Sequence, residues 1–359
     1  MALRIVSIKI KKTTNPKYKS VDLDSVGFGN IFTDHMFRQS WRNGAWREGS
    51  IVPHEPLSVS PGCLGLHYGQ SVFEGLKAYR GSQDNIIRVF RPWINGERFK
   101  KSCERLCIPT ISVDFFVEAV SALVAVEREW VPKSRSNSLY VRPLIFGSEG
   151  HLSVRPATSY EFLIITAPVS EYFHRDGPGI TLKAEDQFTR AAPGGMGAAK
   201  TGGNYASTLK ATGDGLISGY DQILWLDSKE HRYIEEAGHM NIFFRIKDKV
   251  VTPPLAGTIL PGVTRDSILH LLKEWKIEHE ERPISVDELM IAEKEGTLFE
   301  AFGAGTAAVV APIKNIEFKG NQIVVPNPGK DAICSRLYRE LTNVQYGEID
   351  DHYEWMLDI

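Results

Sequence analysis

The chain of 359 residues has few cysteines, no long apolar run and no excess of charge of either sign. Four cysteines, Cys63, Cys103, Cys107 and Cys334, are too few and too scattered for a disulfide scaffold, which favours a reducing compartment. Apolar stretches such as 307–312 fall far short of the roughly 20 residues that a membrane span needs. A net charge of -2 gives no electrostatic reason to expect nucleic acid or an anionic membrane as a partner. Small molecules or another protein chain are therefore the expected partners.

No metal site and no targeting segment are predicted. Cys103 and Cys107 lie four residues apart on a predicted helix, but no matching histidine or cysteine pair accompanies them, so we expect core residues rather than zinc ligands. The basic N-terminal segment could suggest a transit peptide, which is typically an arginine- and serine-rich amphipathic helix. Residues 3–10 in this segment resemble a strand instead. We therefore expect a cytoplasmic protein.

Strands and helices alternate along the chain and predict an α+β enzyme with two domains, 1–169 and 180–359, joined by a polar, turn-rich linker at 170–179. In the first half, the patterns predict strands at 69–79, 85–90, 138–146 and 160–169, and helices at 92–106 and 114–130. In the second half, they predict a meander at 221–251 and helices at 265–275, 286–294 and 331–344.

A lysine in a glycine-rich, nearly uncharged segment is the most informative feature of the chain. Lys200 lies in the run GGMGAAKTGGNY at 194–205. Small residues on both sides would let a bulky planar group approach the backbone closely. Because a lysine amine can form a Schiff base with an aldehyde cofactor, the segment makes Lys200 a candidate for covalent catalysis.

Two other interpretations of this segment stay open. Residues 194–201 differ by one residue from the phosphate-binding pattern G-x-x-x-x-G-K-[ST], because Ala199 stands where the second glycine should be. That pattern follows a buried strand and opens into a helix, whereas 186–190 is polar and Gly202 and Gly203 would break a helix. The context disfavours a nucleotide-binding loop, and a surface loop with an idle lysine is the remaining alternative.

The sequence also contains a candidate phosphate seat. The run LPGVT at 260–264 precedes a predicted helix, so the backbone N–H groups of Val263 and Thr264 and the helix dipole would face an anion. Arg98 could add a permanent charge and forked donors. Taken alone, the first pattern also fits a Pro-Gly turn capped by Thr264, and Arg98 fits an exposed helix residue.

Two adjacent acids, Glu235 and Glu236, precede a small-residue turn and an apolar strand. If one of them points inward, its carboxylate would keep the pyridine nitrogen of a pyridoxal cofactor protonated. Spacing does not choose between the two acids, and both could be solvated turn residues.

Tyr140 and Arg142 share one face of a predicted strand, an arrangement that suits recognition of a carboxylate. The alternative is an edge strand on which Arg142 is simply solvated. On another predicted strand, alternation places Phe73, Gly75 and Lys77 on one face, where the glycine would leave room for a substrate.

Taken together, these motifs resemble those of the branched-chain amino acid aminotransferases, pyridoxal phosphate enzymes of fold type IV. The resemblance rests on FGNIFTDHM at 28–36, HYG at 67–69, LYVRP at 139–143, AKTGGNY at 199–205, EAGHMNIF at 236–243, LPGVTR at 260–265 and FGAGTA at 302–307. It implies an α+β two-domain fold with pyridoxal 5'-phosphate between the domains. It also implies ping-pong transfer of the amino group from L-leucine, L-isoleucine or L-valine to 2-oxoglutarate.

The resemblance assigns a role to each candidate residue. Lys200 would bind the cofactor and move the proton between the substrate Cα and the cofactor, Tyr205 would bind the phenolic oxygen, and Glu236 would bind the pyridine nitrogen. The residues expected around the phosphate are Arg98, Val263, Thr264 and Thr306. Those expected around the substrate are Phe73, Tyr140 and Tyr172 for the branched side chain, and Tyr68, Arg142, Thr306 and Ala307 near carboxylates.

The resemblance further implies a homodimer, with residues near 151–157 reaching the partner subunit. His239 stands where mammalian members have threonine, so its contacts are left open. The alternatives on the same fold are a D-amino acid aminotransferase and an aminodeoxychorismate lyase, and the non-enzymatic alternative is an inactive pyridoxal phosphate carrier. Preference among leucine, isoleucine and valine is not readable, because one methylene or branch point is worth only about 1–3 kcal/mol in an apolar pocket.

Overall fold

The computed structural model describes residues 8–170, 179–327 and 329–359. Within these residues the chain divides into two compact units. The first takes 8–170, Ala199–Gly202 and Asn343–Ile359, and the second takes 179–198, 203–327 and 329–342. This division differs from the predicted domains 1–169 and 180–359, because two later segments belong to the first unit. The predicted linker at 170–179 lies outside the described residues except at its two ends.

Strand hydrogen bonds explain why both segments belong to the first unit. The N–H of Phe73 donates to the carbonyl of Lys200 at 3.0 Å, and Thr201 forms an antiparallel bridge with Val72. Near the C-terminus, Met356–Asp358 pairs antiparallel with Ile87–Phe90. These pairings join residues far apart in sequence, which local patterns do not report.

A mixed sheet forms the first unit. Its strands are β1 (Lys9–Ile10), β2 (His35–Arg42), β3 (Ala45–Trp46), β4 (Ser50–Pro53), β5 (Ser71–Phe73), β6 (Leu76–Arg80), β7 (Ile87–Phe90), β8 (Ser138–Gly147), β9 (Tyr160–Val169) and β19 (Met356–Asp358). Their order is β1-β4-β2-β9-β8-β6-β7-β19, with β3 on β2 and β5 on β8. The strand predicted at 69–79 is therefore two strands, interrupted at Glu74 and Gly75.

Two long helices accompany this sheet. The helices of the first unit are α1 (Leu64–Tyr68), α2 (Pro92–Arg105) and α3 (Val113–Val126), with 3-10 turns at Tyr18–Ser20 and Arg128–Trp130. Ser112 caps α3 by accepting the N–H of Phe115 at 3.3 Å. The helix predicted at 114–130 ends at Val126, and of its predicted apolar face Phe116, Val120, Leu123 and Val124 are fully buried. Cys103 is buried as expected, but Cys107 lies beyond the end of α2 and is exposed.

A second sheet forms the second unit. Its strands are β10 (Ile180–Ala184), β11 (Gln222–Leu226), β12 (Ile234–Ala237), β13 (Met240–Ile246), β14 (Lys249–Thr252), β15 (His279–Glu281), β16 (Leu298–Gly305), β17 (Val309–Phe318) and β18 (Asn321–Val324). The order is β12-β11-β10-β17-β16-β13-β14-β15, and β12 also pairs with β13. The pairings from β12 round to β13 therefore form a closed ring, which leaves those strands without an exposed edge.

The remaining helices are α4 (Gly202–Ala206), α5 (Leu209–Ile217), α6 (Val263–Glu274), α7 (Val286–Lys294) and α8 (Ile333–Gln345). The bounds of α7 match the prediction, and Ser285 caps it by accepting the N–H of Glu288 at 3.1 Å. The helix α4 contradicts the expectation that Gly202 and Gly203 would break a helix directly after Lys200. No helix in the described ranges has both the length and the apolar character that crossing a membrane requires.

A buried polar cluster ties the N-terminal segment to the first unit. His35 Nε2 accepts the N–H of Thr13 at 2.8 Å, so the neutral imidazole carries its hydrogen on Nδ1, which contacts Glu127. Asp34 accepts the indole N–H of Trp130 at 2.8 Å. Burial, and then the charge of Asp34, raises the pKa of Glu127 to about 8, and burial lowers the pKa of His35. In the folded chain the carboxyl group of Glu127 therefore stays protonated into the neutral pH range.

We expect Glu127→Gln to change how the free energy of unfolding depends on pH. The folded pKa of Glu127 lies above its ordinary value of 4.5, so its stabilising effect is present at low pH and is lost as pH rises through about 8. Because the folded pKa of His35 lies below its ordinary value of 6.5, His35 changes the free energy of unfolding only below pH 6.5. Between pH 6.5 and 8 the variant should gain roughly 2 kcal/mol relative to the wild type. Urea unfolding of both proteins at pH 6.5 and 8 measures this difference. The prediction is contradicted if the free energy of unfolding changes with pH by the same amount in the variant and the wild type.

Candidate active site

In the first unit, Lys200 is fixed by its backbone and not by the helix that follows. Its carbonyl accepts the N–H of Phe73, its own N–H donates to Ser102 Oγ at 3.0 Å, and Thr201 Oγ1 donates to the carbonyl of Ser71 at 2.7 Å. The side chain is half-buried, and Nζ lies 5.0 Å from the ring centroid of Phe73. The segment is therefore tied to strand β5, which disfavours the interpretation as a surface loop with an idle lysine.

Arg142 lies against two aromatic rings in the same unit. Its guanidinium carbon is 4.7 Å from the ring centroid of Phe73 and 5.2 Å from that of Tyr140. Nη2 donates to the hydroxyl of Tyr140 at 3.0 Å, and the buried Nε has no hydrogen-bond partner within the described residues. Both side chains are half-buried rather than fully buried. The structure thus brings Lys200, Phe73, Tyr140 and Arg142 together, with a cation held among aromatic faces.

Gly75 has a different use from the one predicted. We expected the missing side chain to leave room for a substrate, but a Cβ added there would lie 2.1 Å from the hydroxyl oxygen of Tyr140 and 2.9 Å from its Cζ. The glycine therefore admits the ring of Tyr140, which in turn bonds Arg142.

Gly75→Ala should destabilise the first unit by about 1–3 kcal/mol, because the methyl group displaces a packed ring. Gly213→Ala is the matched control, since a Cβ at Gly213 meets nothing within 4 Å inside helix α5. That control should be neutral or stabilising. In a Tyr140→Ala background the cost of Gly75→Ala should largely vanish, as thermal unfolding would measure. An equal cost in both backgrounds would contradict the assignment.

Arg98 is buried in an ion pair, so the alternative interpretation of Arg98 as an exposed helix residue is wrong. Its Nε and Nη2 donate to the two carboxylate oxygens of Glu74 at 2.7 and 2.8 Å. Glu74 is fully buried and Arg98 is 7% exposed. A guanidinium held at two points has a defined plane, as recognition of a phosphate requires.

In the second unit, Glu236 on β12 is buried and held by two partners. Its Oε1 accepts the N–H of Leu260 at 2.7 Å, and its Oε2 lies 2.8 Å from Nη2 of Arg190. The same nitrogen of Arg190 donates to the carbonyl of Thr258 at 2.9 Å. The carboxylate is thus fixed in direction and compensated in charge, which suits an acid that must stay ionised in the interior.

Glu235 is buried as well, so the alternative that both acids are solvated turn residues is wrong. Its Oε2 has no hydrogen-bond partner within the described residues. Burial raises the pKa of Glu235 to about 7, so its carboxyl is partly protonated at neutral pH. All four residues of β12 are buried, so both of its faces are covered. The structure distinguishes the two acids by their partners and not by their burial.

The predicted phosphate seat is a helix N-terminus. Helix α6 begins at Val263, two residues before the predicted start, and Gly262 at its N-cap offers no capping side chain. A Cβ at Gly262 would lie 2.0 Å from Oδ1 of Asn241, whose amide donates to the carbonyl of Leu260 at 2.9 Å. Val263 and Thr264 are both buried. The helix dipole at this end favours an anion.

The other predicted residues lie as follows. Tyr205 is half-buried on α4, and its ring centroid is 4.8 Å from that of His239, which gives His239 an aromatic contact. Thr306 and Ala307 are half-buried in the turn between β16 and β17. Tyr68 is 43% exposed and donates its hydroxyl to the carbonyl of Leu152. Tyr172 lies outside the described residues.

Reasoning from the sequence missed several residues that support these groups. Glu74, Ser102 and Arg190 each bond a predicted site residue or its backbone, and Asn241 bonds the carbonyl of Leu260 in the predicted phosphate seat. Glu74 stood beside Phe73 in the sequence but on the opposite face of the predicted strand. The only available signal was a charged residue within an apolar run, which indicates a buried partner without naming it. No group of three or more potential metal ligands occurs among the residues that the structure describes.

Comparison with known proteins identifies the class. The family model of class IV aminotransferases matches residues 71–316, so the chain belongs to the amino-transferase class IV family. This match includes Lys200, Glu236 and the N-terminus of α6.

Individual relatives are similar over nearly their full length. The chain is 41% identical to branched-chain-amino-acid aminotransferase 2 of Bacillus subtilis, over 100% of this chain and 98% of the relative. It is 42% identical to branched-chain-amino-acid transaminase 1 of the same organism, over 98% and 99%. These identities confirm the resemblance drawn from the motifs.

Solved structures agree. A branched-chain amino acid aminotransferase from Escherichia coli superposes with a TM-score of 0.73 at 29% identity, covering 89% of this chain and 98% of that one. A branched-chain aminotransferase from Thermoproteus uzoniensis shares the fold with a TM-score of 0.74 at 24% identity, covering 89% and 98%. The fold is therefore that of the type IV aminotransferases, and the predicted fold class is confirmed.

Proposed function

We propose that the protein transfers the amino group of L-leucine, L-isoleucine or L-valine to 2-oxoglutarate, with pyridoxal 5'-phosphate as cofactor. The observation that carries the proposal is Lys200 beside the Arg142, Tyr140 and Phe73 cluster in one unit. Its relatives bear the names of branched-chain aminotransferases. One related structure contains pyridoxamine 5'-phosphate, and another is complexed with N-(5'-phosphopyridoxyl)-L-glutamate, a conjugate of this cofactor with an amino acid.

The residues present fit the cofactor. A buried carboxylate with its own arginine, Glu236, would hold the pyridine nitrogen, and Tyr205 would hold the phenolic oxygen. The phosphate would be bound by Arg98, by the N–H groups of Val263 and Thr264, and by Thr306. When bound, pyridoxal phosphate supplies an electron sink that stabilises negative charge at the substrate Cα.

Lys200 would bind the cofactor covalently and, once displaced, take the proton from the substrate Cα with Nζ. Nζ lies 5.0 Å from the ring centroid of Phe73, a residue expected around the branched side chain, which supports Lys200 as the group that moves the proton between the substrate Cα and the cofactor.

Arg142 explains how one pocket could accept both an apolar side chain and the distal carboxylate of glutamate. Its charge is presented across the faces of Phe73 and Tyr140, so the surface around it is largely aromatic. A branched side chain would contact the rings of Phe73 and Tyr140, and also Tyr172. A carboxylate would instead bind Arg142, with Tyr68, Thr306 and Ala307 as further candidates near carboxylates.

We also propose that the enzyme is a cytoplasmic homodimer. The segment at 151–157 carries Leu152 and Val154, which are 69% and 82% exposed in the single chain, and Tyr68 holds the carbonyl of Leu152. Two exposed apolar side chains on a tethered loop favour burial by a second copy. Light scattering should give twice the mass of one chain, and a monomeric mass in the active protein would contradict the proposal.

A substrate panel tests the proposed reaction. L-leucine, L-isoleucine and L-valine should each yield a 2-oxo acid and L-glutamate when 2-oxoglutarate is present. D-alanine would be consumed by a D-amino acid aminotransferase, and aminodeoxychorismate by the lyase that shares this fold. Turnover of either of those compounds without turnover of L-leucine would overturn the proposal, and no turnover at all would favour a cofactor carrier.

A further inference from the structure

Glu74 is a fully buried carboxylate that the proposed reaction does not use. It lies between β5 and β6, where its backbone N–H donates to the carbonyl of Pro143 at 2.8 Å. Its side chain accepts the N–H of Gly75 at 3.0 Å, the amide of Asn95 at 2.8 Å, and Nε and Nη2 of Arg98. A carboxylate with this many donors is ionised and fixed.

The charges at Glu74 agree with that arrangement. Burial opposes its ionisation, but the charge and hydrogen bonds of Arg98, together with the charge of Lys200, lower the pKa of Glu74 overall. A buried ion pair costs desolvation energy and is a weak source of stability. Stability alone therefore does not account for this pair.

The pair also belongs to a chain of bonds that ends at Lys200. Ser102, one turn after Arg98 on α2, donates its hydroxyl to the carbonyl of Arg98 at 2.8 Å. The hydroxyl oxygen of Ser102 also accepts the backbone N–H of Lys200 at 3.0 Å. Helix α2 is thus bonded to the lysine segment at one point and, through Arg98, to Glu74 at another.

On the assumption that Arg98 binds the cofactor phosphate as proposed above, we propose that Glu74 is a positioning residue for phosphate recognition. By binding two nitrogens of the guanidinium, it fixes the plane in which Arg98 presents its charge. Without the carboxylate, Arg98 keeps its charge but loses its orientation, and a bidentate contact depends on orientation.

Binding to the cofactor-free protein tests this, with pyridoxal phosphate and pyridoxal as the two probes and tryptophan fluorescence as the readout. Glu74→Gln should weaken binding of pyridoxal phosphate about 10- to 100-fold, as removal of orienting partners does at metal sites. Binding of pyridoxal, which lacks the phosphate, should stay within about threefold. A purely structural role would weaken both probes alike.

Glu161→Gln is the matched control, because Glu161 is also buried and pairs with Arg38 and Arg42 in the same unit. It should leave the ratio of the two affinities unchanged. If Glu74→Gln does not fold, Glu74→Asp keeps the charge but shortens the side chain, and it should still reduce the ratio. An unchanged ratio in a folded Glu74 variant overturns the inference. Failure of the wild type to bind pyridoxal phosphate or to convert L-leucine would instead overturn the proposed function.

Discussion

Lys200→Ala should reduce transamination of L-leucine by about 10³-fold or more, since the variant loses both the covalent anchor and the base for the Cα proton. The fold should survive, because the bonds that fix this segment to Phe73 and Ser102 come from the backbone of Lys200. Steady-state assays with 2-oxoglutarate measure the loss. Borohydride reduction followed by peptide mass analysis should place the cofactor on Lys200 in the wild type.

Lys210→Ala is the control for that experiment. Lys210 is exposed on α5 and pairs with Asp214 at 2.7 Å, so its removal should leave the rate unchanged. If Lys200→Ala kept more than about a tenth of the wild-type rate, a general base at this position would be excluded.

The second large effect should separate the two adjacent acids. Glu236→Gln should lower the rate about 100-fold or more, a loss typical of one preorganised electrostatic contact. It removes the charge that Arg190 and the N–H of Leu260 hold in place. The rate with L-leucine and the position of the cofactor absorption band measure the effect.

Glu235→Gln is the matched substitution one residue away. Because burial raises the pKa of Glu235 to about 7, the neutral amide resembles a form that the native protein already populates. Its rate should stay within about threefold of the wild type. Since the folded pKa lies above 4.5, the wild type loses stability as pH rises through 7, and the variant should gain stability relative to the wild type as the pH is raised to 8. Equal losses of rate in both variants would contradict the assignment of Glu236.

Local patterns predicted elements whose causes are local. Helix α7 begins after a serine cap, and α3 buries side chains at the spacing of one helix face. Strands β8 and β9 were found as apolar runs bounded by turns. The exception is α4, where glycine propensity argued against a helix and the short turn forms nonetheless.

What the sequence could not supply were pairings at long range. Strand β19 completes the first sheet beside β7, and no pattern near the C-terminus indicates this partner. The candidate site shows the same limit. Motifs in the sequence pointed to Lys200 and Glu236 as candidates. The partners of the site groups come from other parts of the chain: Arg190 pairs with Glu236, and Glu74 pairs with Arg98. A buried charge implies a partner but does not name it.

The most direct test of the proposed function is the pair of half-reactions with the purified protein. L-leucine alone should convert the bound cofactor to its pyridoxamine form and release the corresponding 2-oxo acid, in one equivalent per chain. Addition of 2-oxoglutarate should then restore the original absorption spectrum and release L-glutamate. If L-leucine leaves the spectrum unchanged and no 2-oxo acid appears, the protein is not a branched-chain aminotransferase.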